Sequence, residues 1–97
     1  MKFIYITCNI SMAEVLWDVI DEMEIKNYQT IDLVTAKSEY AEPRLNTAIW
    51  PGYNASILIQ EADHKKVEAL INEIKEMNKK AYNSAEIIAV HSWGLDA

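Results

Sequence analysis

The chain has 97 residues, 51% of them apolar and 25% charged, the size and composition of a single soluble globular domain. Its formal net charge of -6 argues against nucleic acid or an anionic membrane surface as partner, because phosphates repel it. One cysteine, Cys8, excludes an internal disulfide framework and a zinc site built from several cysteines, and fits a reducing cytoplasm.

The opening "MKFIYITCNI" is too short and too polar to span a bilayer and carries no small-residue cleavage site. It reads instead as a strand over Lys2 to Cys8, rich in β-branched and aromatic residues. Ile4, Ile6 and Cys8 share one face; Phe3, Tyr5 and Thr7 share the other. "SMAEVLWDVIDEMEI" follows. Ser11 with Glu14 three residues later forms a capping box, so the spacing predicts a helix starting there and ending near Glu24 or Ile25. Met12, Val15, Leu16, Val19, Ile20 and Met23 make its apolar stripe, with Asp18, Asp21 and Glu22 on the wet side.

"NYQTIDLVTA" alternates, with Ile31 and Leu33 on one face and Tyr28, Thr30, Asp32 and Val34 on the other. "YNASILIQEA" alternates too, Ala55, Ile57 and Ile59 against Asn54, Ser56, Leu58 and Gln60. These two strands pair most simply as antiparallel neighbours. Hairpin loops usually take two to five residues, yet the connection here runs over about 37–53. It holds the chain's arginine, Arg44, with Tyr40 and Trp50, residue types enriched where proteins dock; those three are the candidate partner-docking residues. Trp50 and Leu45 can alternatively clamp a neighbouring subunit. In "WPGY", proline presets the first turn position and glycine takes the positive φ that follows. That predicts a rigid loop base, with a mobile tip around Glu39 to Thr47 carrying Tyr40 and Arg44.

"DHKKVEALINEIKEMNKK" predicts a second helix with Asp63 as N-cap. Val67, Leu70, Ile71, Ile74 and Met77 form its buried stripe, and Lys79 and Lys80 lie in the last turn, where positive charge suits the helix dipole. "AEIIAVHSW" is a final strand, with Ile88 and Val90 opposite Ile87, Ala89, His91 and Trp93. The order β-α-β-β-α-β is the ferredoxin-like α+β arrangement, a four-stranded antiparallel sheet with two helices on one face, spanning residues 1–97 as one domain. The uncovered face then shows Phe3, Tyr5, Val34, Leu58, Ile87 and Trp93, apolar enough to expect a homo-oligomer with sheets facing one another. Asp32 is expected on that same face, placed to pair with a neighbour's lysine or histidine such as His91.

Nothing marks an enzyme: there is no Gly-x-Ser-x-Gly elbow, no glycine-rich phosphate loop and no zincin motif. Most carboxylates fall on solvent faces of helices.

The ending "VEALINEIKEMNKK" followed by "AEIIAVHSW", the opening strand, the capped first helix and the long second loop together resemble the PII-like signalling proteins and their CutA relatives. The resemblance implies a cytoplasmic, non-enzymatic homotrimer that acts in signal transduction. The long loop would be its T-loop, docking on a protein partner such as a membrane transporter, without insertion into the membrane itself. A small ligand would sit in the clefts between subunits, with Lys37 at the start of the loop and Lys79 and Lys80 at the second helix–strand junction as ligand-binding candidates. In PII proteins both segments are glycine-rich, which lets backbone amides approach a phosphate. Here "TAKSEYAEP" and "NKKAYNSA" have no glycine, and the cofactor stays open, a nucleotide or a metal ion. On the CutA side, "IWPGY" and "EIIAV" are similar, and that family is associated with divalent-metal tolerance. The alternative is therefore a metal-binding or efflux-associated trimer, with His91 as candidate metal ligand, since three copies could converge around an axis. Cys8 is expected as a small buried apolar residue and His64 as an exposed residue in a helix's first turn.

Overall fold

The computed structural model describes residues 1–39, 42–49, 51–82 and 86–94. Its elements run β1 (Lys2–Asn9), α1 (Ile10–Glu22), β2 (Tyr28–Val34), β3 (Asn54–Glu61), α2 (His64–Lys79) and β4 (Ala89–Gly94). The four strands form one antiparallel sheet in the order β2-β3-β1-β4. This is the expected α+β ferredoxin-like arrangement, in which each helix returns the chain so that β1 and β3 become the central strands.

The register explains the core. Ile4 pairs with Ile59, Ile6 with Ile57 and Cys8 with Ala55, so directly opposed apolar side chains point to the same side of the pleat. Leu16 and Ile20 of α1 and Val67, Leu70 and Ile74 of α2 close over them. All of these residues are 4% exposed or less. The apolar stripes of both helices are thus seated on one face of the sheet. Val15 is the exception, 52% exposed: it sits one helical step, roughly 100°, from Leu16, at the edge of the stripe.

Helix boundaries differ from expectation at α1. Asn9, not Ser11, is the N-cap, and its side chain accepts from the Ser11 amide at 3.1 Å. The strand passes straight into the helix without a linker, so the first residue with a side-chain acceptor takes the cap and Ser11 falls inside the first turn. At the other end α1 stops at Glu22 because Glu24 takes φ 57. Glu24 N–H then donates to Asp21 O at 3.0 Å and Ile25 N–H to Ile20 O at 3.3 Å, a Schellman closure with buried Ile25 as its apolar contact. The helix α2 follows its sequence pattern: Asp63 is the N-cap, accepting from the Lys65 amide at 2.9 Å.

β2 is an edge strand, exposed along nearly its whole length. Its alternation breaks at a bulge between Ile31 and Val34. Before the bulge, Gln29 and Ile31 pair with Leu58 and Ser56 and so share the open face of the sheet, away from the helices; Val34, after it, pairs with Asn54 and faces the open side too. Residues before the bulge thus have the reverse of the expected phase, and the extra residue brings Val34 back to the expected face. Asp32 in consequence lies not on the open face that carries His91, as expected, but toward α1, beside Glu14 and Trp17. The open face carries Phe3, Tyr5, Leu58 and Trp93, with the Phe3 and Trp93 rings 5.5 Å apart.

Candidate functional site

Strand direction decides what can meet. β1 and α2 end at one edge of the sheet, where β3 and β4 begin and the 35–53 connection leaves and re-enters. The described parts of that connection are tied to one another and to the start of α1. Ala36 and Arg44 form an antiparallel bridge, with N–H···O distances of 2.8 and 2.7 Å. Asn46 N–H donates to Gly52 O at 3.0 Å, and Gly52 has φ +89, the glycine geometry expected for the turn. The Ile10 amide at the start of α1 donates to Tyr53 O at 3.1 Å.

The bridge folds Arg44 back beside Ala36, just past the end of β2. It therefore sits at the root of the loop rather than at a mobile tip: the residue that reads from sequence as a free hot-spot side chain is half-buried. Its Nη1 donates to Asn54 Oδ1 at 2.8 Å, and Asn54 Nδ2 donates to Thr7 Oγ1 at 3.2 Å. Asn54, the first residue of β3, is 6% exposed. Tyr40 and Trp50, the other two expected docking residues, lie outside the described residues.

Arg44 lines a hollow of about 370 Å³ between the loop root and the open face of the sheet. Lys37 and Glu42 of the loop line it as well, and Thr7, Cys8, Asn54 and His91 contribute from the sheet. Two fixed positive charges thus face one carboxylate in a chain whose net charge is -6, a local reversal of sign that favours an anion. Burial pushes the Cys8 thiol up and the charge of Arg44 partly opposes it, leaving it at about 11. At neutral pH Cys8 is therefore a neutral, unreactive thiol, in keeping with its expected role as a small apolar residue.

Of the expected ligand-binding residues, the structure brings Lys37 to this hollow but not Lys79 or Lys80. Lys79 pairs with Glu76 at 2.9 Å on the exposed surface, and Lys80 is the C-cap of α2. His91, the metal candidate, lies opposite Tyr5 and is exposed in the hollow's wall. Among the described residues no group of three or more His, Cys, Asp or Glu side chains converges to hold a metal ion. His64 opens α2 and is exposed. Thr7 and Asn54 carry no sequence signal for a site. They read as ordinary strand positions, and only the pairing of β1 with β3 puts both beside Arg44.

The fold formed around this hollow is that of the PII-like signalling proteins. A PII-like signalling protein from Thermus thermophilus superimposes with a TM-score of 0.67 at 13% identity, over 95% of this chain and 83% of that one. CPII from Thiomonas intermedia, a nitrogen regulatory PII-like protein solved bound to ADP, AMP and bicarbonate, gives 0.63 at 15% identity, over 95% and 90%. CPII bound to ADP and bicarbonate gives 0.67 at 14% identity, over 95% and 84%. No protein-family model matches the sequence, and no curated protein is significantly similar to it. No helix among the described residues is long and apolar enough to cross a membrane.

Proposed function

We propose that this chain is a non-enzymatic PII-like regulatory protein of the cytoplasm. It binds a compact anion in the hollow at the root of its long loop and presents that loop to a protein partner. The observation that carries this reading is the convergence of Lys37 and Arg44 on one hollow at the loop root. That CPII, with the same fold, was solved with ADP, AMP and bicarbonate supports an anionic ligand. Glycine is absent from "TAKSEYAEP" and "NKKAYNSA", so side-chain charge, rather than a cradle of backbone amides, is the recognition available. The apolar open face supports a homotrimer in which a neighbouring copy completes the cleft. Lys79 and Lys80, at the same edge of the sheet, are available to such a shared cleft.

Isothermal titration of the chain with ADP, AMP and bicarbonate tests the site. Arg44→Gln keeps a polar but shorter side chain and removes the charge, and is expected to weaken binding of the responding ligand by at least tenfold. Equal affinity in wild type and Arg44→Gln would remove the hollow as the site.

A further inference from the structure

We infer that Asn54 is the positioning residue of this hollow: its neutral side chain orients the Arg44 guanidinium while leaving the positive charge for a bound anion. The inference rests on the anion-binding reading above and adds a residue that acts through Arg44.

The geometry has three parts. The Asn54 amide is used at both ends, accepting from Arg44 Nη1 at 2.8 Å and donating to Thr7 Oγ1 at 3.2 Å. Its orientation is fixed by this, because turning the amide over would set its two N–H donors against the donors of Arg44. Asn54 is itself 6% exposed, and stands at the first position of a central strand. The support beneath Arg44 is therefore sheet, not loop. Among the described residues no carboxylate forms an ion pair with Arg44, although Glu42 lines the same hollow. A carboxylate in that position would satisfy the guanidinium's donors and cancel its charge. Here an isosteric amide takes that place. It supplies one hydrogen bond and no counter-charge, so the attraction for an incoming anion is not spent inside the protein.

Substituting Asn54→Asp tests the charge-sparing part of the role. A carboxylate at position 54 keeps an acceptor for Arg44 and strengthens that contact, but neutralises the charge. Because the added charge repels an anion by itself, the orienting role is read separately in Thr7→Val, which leaves every charge in place. The charge-sparing role predicts that Asn54→Asp retains the melting temperature and binds the responding anion at least tenfold more weakly. Its affinity should also depend less steeply on salt. Thr7→Val is the second variant, and does not touch the charge. It frees the far end of the amide and is expected to weaken binding severalfold with the salt dependence unchanged.

The measurement is calorimetric titration of the full chain with ADP, AMP, bicarbonate and inorganic phosphate at two salt concentrations. Asn54→Asp binding within twofold of wild type overturns the role of Asn54 and leaves the anion site standing. If Asn54→Asp does not fold, a wild-type affinity in Thr7→Val overturns it instead. A wild-type chain that binds none of the four anions overturns both readings.

Discussion

Cys8 shows how a single side chain at the hollow reports its surroundings. It is 2% exposed, and its thiol ionises at about 11 when folded against 9.0 as the ordinary value. Between those values an unfolded chain releases the thiol proton while the folded chain keeps it. The contribution of Cys8 to stability is therefore complete below pH 9 and declines as pH rises toward 11, by roughly 1 kcal/mol per pH unit. Urea unfolding at about pH 8 to 11 should show this decline in wild type and a shallower one in Cys8→Ala, the difference isolating the thiol from tyrosines and lysines that titrate nearby. Ser56 is a second informative residue. It is 1% exposed and its hydroxyl has no hydrogen-bond partner among the described residues, a situation that costs about 1–3 kcal/mol. It stands on the open side of the sheet, paired across from Thr7 and Ile31.

At the level of elements, the start of α1 is the instructive boundary. A capping box at Ser11 and Glu14 fits the sequence, but the side chain that meets a free helical amide belongs to Asn9. Asn9→Ala should cost about 1 kcal/mol, the usual loss for an N-cap, whereas Ser11→Ala should stay within about 0.5 kcal/mol. Thermal denaturation of the two variants measures the difference, and the opposite ranking would restore the cap to Ser11. The edge strand β2 makes a related point. Its residues alternate in the sequence, but the bulge between Ile31 and Val34 inserts one position, and one position is enough to exchange the faces. Asp32 therefore faces α1 instead of the open side.

Across the molecule as a unit, the sheet has one face covered by two helices and one that no helix among the described residues covers. The uncovered face carries Phe3 against Trp93, with Tyr5 and Leu58 beside them; Trp93 remains 46% exposed. The proposed trimer buries this face, so a charge at its centre should dissolve the assembly without touching the core on the other side. Leu58→Glu is expected to sediment as a monomer where wild type sediments as a trimer, with the far-ultraviolet circular dichroism of both alike. An unchanged mass would place the subunit contact elsewhere. The hollow lies at the border of the same face, since His91 and Tyr5 line it, and a copy packed on that face would narrow its mouth.

The order of elements, the helix-facing residues of β1, β3 and α2, the N-cap at Asp63 and the glycine turn at Gly52 were all legible in the chain before any folding was known. Each rests on a local period or a single residue's conformational preference, which short-range physics fixes. Arg44 and His91 likewise stood out from the sequence, and Lys37 from its place at the start of the loop in the family resemblance. That these three share one hollow, and that Lys79 and Lys80 do not line it, emerged from the folded arrangement. So did the seat of Arg44 at the loop root, on an amide from β3 that is itself held by a threonine from β1. The reason is that strand pairing joins positions far apart in the chain. Asn54 and Thr7 are separated by 47 residues, and no local pattern in either segment records that they meet.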